Sequence, residues 1–231
     1  MLAIIGAMDE EIRQIKDIME DVEITNKADM KFYKGKIFGK EIVAVRSGIG
    51  KVNAAVCTQI LVDFYAPSGI INTGIAGSLQ DFIDIGDIVL SDDVLHHDVD
   101  ATGFGYPIGQ IPRMEELSFK ADNKLLKIAK IACEKVIKLS KSHVGRIVSG
   151  DQFISDKVVK TKIKDNFNAM CTEMEGAAIA QTAYLNNTPF LIIRAISDKA
   201  DDSATMDYPE FEARAIKNSV ALTLEMIAQE I

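Results

Sequence analysis

The sequence is poor in cysteine, in histidine and in basic charge, and it lacks any long apolar run. Its three cysteines, Cys57, Cys133 and Cys171, are spread along 231 residues. They are odd in number and far apart, with no Cys-x-x-Cys pair, so they offer no disulfide framework and no thiolate metal or redox motif. They read as reduced, buried thiols of a cytosolic protein. Lysine and arginine number 26 against 34 acids, a net charge of −8. An acidic surface argues against nucleic acid or an anionic membrane as the main partner. No apolar run approaches the roughly 20 residues that span a bilayer. The amino terminus, Met1-Leu2-Ala3-Ile4-Ile5-Gly6-Ala7, has no basic segment and runs straight into acids. It reads as a first strand rather than a signal peptide. No low-complexity stretch, internal repeat or linker divides the chain, so residues 1–231 are expected to form one domain.

What is present is organised around Phe190-Leu191-Ile192-Ile193-Arg194-Ala195-Ile196-Ser197-Asp198. An unbroken apolar run after Pro189 reads as a strand buried on both faces. It ends abruptly in Arg194, Ser197 and Asp198. Ligands of open α/β sheets bind beyond the carboxyl ends of the strands. An acid delivered there by an apolar strand sits where desolvation raises its pKa. The competing reading of the same residues is a structural Arg194–Asp198 ion pair.

The rest of the chain alternates strands and helices. Leu2 to Gly6 is a short buried strand, and Met8-Asp9-Glu10-Glu11 opens a helix with Ile12, Ile15 and Met19 on its apolar side. Asp9 and Glu10 suit the positive end of the helix dipole. Glu11 lies one turn before Ile15, beside the buried face, and is a candidate general base. Phe32–Phe38 and Glu41–Val45 form a hairpin through Gly39-Lys40. Ser47-Gly48-Ile49-Gly50-Lys51-Val52-Asn53 is a glycine-rich turn into a helix. It lacks the third glycine of a dinucleotide fingerprint and the Ser or Thr of a Walker loop. Close approach of a backbone is still implied at Gly48 and Gly50.

Gly69–Thr73 is a buried strand ending in small residues, and Gly86–Ser91 starts another that reaches His96-His97-Asp98. His96 and Asp98 share a strand face, but a metal site there has no third nearby ligand. The stretch from Asp100 to Pro112 is a loop, either self-packed or a lid or partner-contacting arm. Ala121–Ile137 is an amphipathic helix. His143–Val148 is a strand that leads to Phe153, which can stack on a planar base or simply join the core. Met170–Thr172 is a short strand, and Glu173 and Glu175 precede a small-residue helix. In the final helix Asp207 is read as N-cap, Pro209 as first turn and Glu210 as third position, running nearly to Ile231. The pattern is an α/β protein, a three-layer α/β/α sandwich around a central mixed sheet. Strand ends at Gly6, Thr73, Ser149 and Asp198 are expected to carry the site.

Six segments in order carry a resemblance. They are Gly6-Ala7-Met8-x-Glu10-Glu11, Ser47-Gly48-Ile49-Gly50-Lys51, Asn72-Thr73-Gly74-x-Ala76-Gly77, Ser149-Gly150-Asp151-x-Phe153-Ile154, Glu173-Met174-Glu175 and Arg194-Ala195-Ile196-Ser197-Asp198. Together they resemble the 5′-methylthioadenosine/S-adenosylhomocysteine nucleosidases of the purine nucleoside phosphorylase superfamily, over nearly the whole chain. The resemblance implies hydrolysis of the N-glycosidic bond of a 5′-thioadenosine. Asp198 is then the acid that protonates N7 of adenine, Ser197 orients it, and Glu11 activates water. Glu175 holds the ribose hydroxyls with Met174 against the sugar, and Arg194 stands near the water and Glu175. Phe153 stacks on adenine and the Ile154 backbone reads the base edge. Ile49, Met8 and Tyr208 line the ribose and 5′-thio pocket, with Gly77 and Ile75 beside the base. Ala101, Phe104 and Pro112 are implied to come from a second subunit, hence a homodimer. Neither cofactor nor metal is implied.

Ile75 stands where many members of that family have Ser, and Tyr208 where Phe is common. The physics of the reaction fits the same residues. Glycosidic cleavage passes through an oxocarbenium-like cation and needs an acid on one side and a water-activating carboxylate on the other. Burial is expected to keep Asp198 protonated, and the helix start to keep Glu11 ionised. Two alternatives are a phosphate-dependent nucleoside phosphorylase and a non-catalytic nucleoside-binding protein. Against the first, Asp9, Glu10 and Glu11 crowd the helix start where an anion would sit.

Overall fold

The computed structural model describes residues 1–229. The chain opens with β1 (Leu2–Gly6), α1 (Asp9–Asp17), β2 (Glu20–Lys27), β3 (Met30–Ile37), β4 (Lys40–Arg46) and α2 (Lys51–Tyr65). There follow β5 (Gly69–Ser78), β6 (Ile88–His96), β7 (Phe119–Lys120), α3 (Asn123–Val136) and β8 (Ser142–Ser149). The last part holds α4 (Lys157–Phe167), β9 (Cys171–Glu173), α5 (Gly176–Leu185), β10 (Phe190–Asp198) and α6 (Ala204–Ala228).

All strands join one mixed sheet flanked by helices. Helices α1, α3 and α6 pack together on one side, and α2 packs with α5 on the other. β1 lies parallel between β4 and β5. Its five residues are therefore buried on both faces, which is why they read as a continuous apolar run. β10 runs parallel to β5 and antiparallel to β6, and all nine of its residues are buried.

The sheet also does something that a strand pattern does not announce. β5 pairs with β10, β10 with β6, β6 with β8, β8 with β9, and β9 again with β5. These five strands close into a ring, while β1, β4, β3 and β2 extend from it as an open wing. Closure forces several strand ends to converge on one mouth, as it does in small barrels. The long β5 makes this possible: its first half pairs with β1 and its last two residues with β9.

Several expectations need correction. The strand read as Gly69–Thr73 continues to Ser78, because Gly74, Ala76 and Gly77 keep pairing with β10. Thr73 is thus mid-strand, bonded to Ser219 Oγ at 2.5 Å, and Gly77 takes its place at the site. β2 was not expected from sequence: it is an edge strand whose residues, Val22 and Ile24 included, are all exposed. Helix α4 was also not expected; Asp156 caps it by accepting the N–H groups of Val158 and Val159. Helix α6 starts at Ala204, so Asp207 is not its N-cap and Pro209 lies inside the helix. Asp207 instead accepts the Ser203 hydroxyl at 2.5 Å, across the first turn. The same helix is described to Ala228, and Ile231 lies outside the described residues.

Candidate active site

One cavity lies where β1, β5, β8, β9 and β10 end. It is lined by Met8, Glu11, Ile49, Ile75, Gly77, Phe153, Ile154, Met174, Glu175, Ser197, Asp198 and Tyr208. Each was singled out in the sequence, and their segments lie up to 200 positions apart.

Asp198 closes β10. Its Oδ1 accepts the Ala200 N–H at 2.8 Å and its Oδ2 accepts the Ser197 hydroxyl at 2.8 Å. Burial drives its pKa upward against these two donors, with Asp207 and Asp201 adding to the rise. Gly77, its partner across the β5–β10 ladder, leaves it room. A Cβ on Gly77 would stand 2.6 Å from Asp198 Oδ1. The suggested Arg194–Asp198 pair does not form, because Arg194 bonds Glu173 instead.

Glu11 enters from the far side, in the first turn of α1. Its Oε2 accepts the N–H of Ala7 at 2.6 Å and of Met8 at 3.0 Å. These donors and the Arg194 charge favour the carboxylate, but burial outweighs them and raises its pKa. The helix start therefore does not by itself hold Glu11 ionised, as the sequence reading expected. A carboxylate shifted upward is a stronger base when it does ionise.

Glu175 precedes α5, and its Oε1 accepts the Gly50 N–H at 2.8 Å. Burial, and then the neighbouring Glu173, push its pKa up to about 8. Gly50 carries a φ of +94°, which explains a glycine there. Next to it, Lys51 N–H donates to Asp151 Oδ1 at 2.8 Å. The first amides of α2 are thus both taken by carboxylates.

Phe153 is 49 % exposed and meets the Tyr208 ring edge-on, with centroids 5.7 Å apart. The Tyr208 hydroxyl lies 3.6 Å from Met8 Sδ and donates to Glu212 Oε1 at 3.0 Å. The two rings span the mouth of the cavity.

Four predicted residues lie elsewhere. Arg194 is 1 % exposed and sits beneath the cavity rather than in its wall. Ala101, Phe104 and Pro112 lie on the loop after β6, away from this chain's own cavity, and Phe104 is 88 % exposed. Sequence reasoning left out Gln152, Thr172 and Glu173, which also line the cavity. Glu173 was noticed as one of two acids before α5, but only burial separates a functional acid from a capping one. His96 and Asp98 turn to different partners. His96 Nε2 meets Gln181 Oε1 at 3.0 Å, and Asp98 accepts Lys51 Nζ at 2.6 Å.

Comparison with known proteins bears on the family and the fold. The family profile described as "Phosphorylase superfamily" matches residues 1–228. A 5′-methylthioadenosine/S-adenosylhomocysteine nucleosidase of Staphylococcus haemolyticus is 45 % identical over 228 residues, covering 98 % of this chain and 99 % of that one. The crystal structure of the Neisseria meningitidis nucleosidase of that name, in complex with methylthio-immucillin-A, superposes with a TM-score of 0.95 at 40 % identity, covering 99 % of both chains. That of Colwellia psychrerythraea 34H, in complex with adenine, gives 0.95 at 39 % identity, covering 99 % of this chain and 94 % of the other. By sequence and by fold over nearly its whole length, the chain belongs to the phosphorylase superfamily and, within it, to the 5′-methylthioadenosine/S-adenosylhomocysteine nucleosidases.

Proposed function

We propose that the chain hydrolyses the N-glycosidic bond of 5′-methylthioadenosine and S-adenosylhomocysteine, releasing adenine and the 5′-thioribose. The observation that carries this reading is the placement of two buried carboxyl groups in one cavity, Asp198 from the end of β10 and Glu11 from the first turn of α1. Adenine leaves readily only when protonated. Asp198, kept protonated by burial and oriented by Ser197, gives its proton to N7. Glu11 takes a proton from the water that attacks the anomeric carbon as the oxocarbenium-like cation forms. Glu175 holds the ribose hydroxyls through the oxygen that Gly50 leaves free. Arg194, beneath, supplies the one positive charge among these acids. Phe153 covers the base, Met174 packs against the sugar, and Met8 and Ile49 give a thioether an apolar seat.

Phosphorolysis is the competing reaction of the superfamily, and two features weigh against it. Helix amino termini are the usual anion sites. At α1 the free amides of Ala7 and Met8 already donate to Glu11. At α2 those of Gly50 and Lys51 donate to Glu175 and Asp151. A phosphate would meet a carboxylate at either end.

The reading includes a homodimer. Ile49, Val52 and Val56 form an exposed apolar stripe at the start of α2, and Phe104 projects into solvent. Such a patch suits a second copy, whose Ala101, Phe104 and Pro112 would close the 5′ end of the cavity. It also includes the cytoplasm: the three cysteines are buried and unpaired, and no helix among the described residues is long and apolar enough to cross a membrane. The test is adenine release from methylthioadenosine in phosphate-free buffer. Release with free thioribose as product is expected. Release that depends on added phosphate, with a sugar 1-phosphate as product, would overturn hydrolysis.

A further inference from the structure

Beneath the cavity a chain of polar side chains crosses the apolar sheet. Asn72 on β5 donates to the Ile5 carbonyl of β1 at 3.0 Å. Its Oδ1 accepts Arg194 Nη2, from β10, at 2.5 Å. The same Nη2 donates to Glu173 Oε2 on β9. Glu173 Oε1 accepts the Ser149 hydroxyl of β8. Ser149 Oγ accepts the Ala177 N–H at 2.7 Å, so its own proton is committed to Glu173. Glu173 Oε2 also accepts the N–H of Glu175 at 3.1 Å and of Gly176 at 2.8 Å. Buried polar chains are costly unless satisfied, and among the side-chain atoms of this one only Arg194 Nε lacks a partner, so the chain has a reason.

The charges supply that reason. Glu11, Glu173 and Glu175 surround the one guanidinium, yet Arg194 makes its direct ion pair with Glu173 alone. Glu11 and Arg194 come close across Gly74, where a Cβ would lie 2.8 Å from Glu11 Oε1 and 3.3 Å from Arg194 Nη1. The guanidinium is thus within electrostatic reach of Glu11, and no ion pair joins the two.

We propose that Glu173 is a positioning residue for the reaction, anchoring Arg194 below the cavity so that Glu11 and Glu175 stay free for water and ribose. Without this anchor Arg194 moves up and pairs with one of them. It then neutralises the base or occupies the oxygens that the sugar needs. The inference rests on the hydrolase reading of the preceding section. Groups in electrostatic reach of Glu173 are Glu175, Arg194 and Cys171 around it, and His96 and His97 from the end of β6.

The test is Glu173→Gln, assayed for adenine release from methylthioadenosine across pH alongside the wild type. Wild-type turnover itself tests the hydrolase reading, whereas the ratio of variant to wild type tests the anchor. A misplaced group near the reacting atoms costs about 10- to 100-fold in kcat, and that loss is expected here. The acidic limb of the kcat profile should also move to lower pH, since a negative neighbour is gone and a positive one has come closer to Glu11 and Glu175. A merely structural Glu173, capping α5, predicts a lower Tm with kcat and limb unchanged in the folded protein, and that result overturns the inference. If Glu173→Gln does not fold, Ser149→Ala decides. It loosens Glu173 without changing charge, so a kcat reduced with KM little altered supports the anchor, and wild-type kcat overturns it.

Discussion

Replacing Asp198 with Asn isolates the proton that the proposed reaction needs. The two side chains are nearly isosteric, and the surroundings can accept the change. Ala200 N–H keeps its acceptor at Oδ1. The Ser197 hydroxyl, which now donates to Oδ2, turns to the Ala76 carbonyl 3.4 Å away and accepts from the new amide. The amide can still donate a hydrogen bond to N7 of adenine, but it cannot transfer a proton. Binding and catalysis should therefore separate. Loss of a general acid costs roughly 10²–10⁴-fold in kcat, which is about 3–5 kcal/mol in the barrier. Adenine affinity should stay within about tenfold, since one hydrogen bond replaces another of similar strength. The assay is single-turnover adenine release in phosphate-free buffer, paired with calorimetric titration of adenine. A folded Asp198→Asn protein that turns over within tenfold of wild type would refute the acid assignment. A protein that has lost both turnover and adenine binding would show that Asp198 holds the base rather than protonating it.

Three further outcomes follow from the geometry. Glu175→Gln should raise stability at high pH while lowering activity. The folded pKa of about 8 lies above the ordinary value of 4.5, so Glu175 favours folding below about 4.5 and that contribution is lost as pH rises through 8. Melting temperatures of the two proteins should therefore converge near pH 4 and separate in favour of Gln by pH 9; a separation that shrinks with pH would contradict the sign. Gly74→Ala places a methyl 2.8 Å from Glu11 Oε1, on a carboxylate whose other oxygen, Oε2, the Ala7 and Met8 amides hold. It should cost about 1–3 kcal/mol in denaturant unfolding and lower kcat more than it raises KM. Phe104→Ala removes an exposed ring from the proposed subunit contact. Light scattering across a dilution series should show weaker dimerisation by about tenfold or more, with specific activity falling at the same concentrations. Unchanged mass and activity would exclude that loop from the interface.

The elements most fully legible in the sequence were those whose environment is written locally. β1 and β10 are buried on both faces and read as unbroken apolar runs. α3 shows its apolar stripe, and Gly50 a close backbone approach, here to Asp151. Chemistry at the end of β10 was legible for the same reason, since a run of apolar residues that stops in Arg, Ser and Asp has few explanations. β2 escaped because all its residues are exposed, α4 because it buries Ile163 and Phe167 but leaves Val158 and Val159 exposed and sets Lys160 on its buried side, and α6 was started late because a Pro within the helix looks like a Pro that begins one. What only the tertiary structure decided is which charges face each other. Arg194, Asp198, Glu173, Glu175 and Glu11 are all plain in the sequence, but nothing local tells which acid the guanidinium takes. That choice depends on the closing of β5 through β10 into a ring, which sets Glu173 beside Arg194 and turns Asp198 toward the cavity. Burial then raises the pKa values of Glu11, Glu175 and Asp198, and burial is a property of the assembled fold rather than of any stretch of chain.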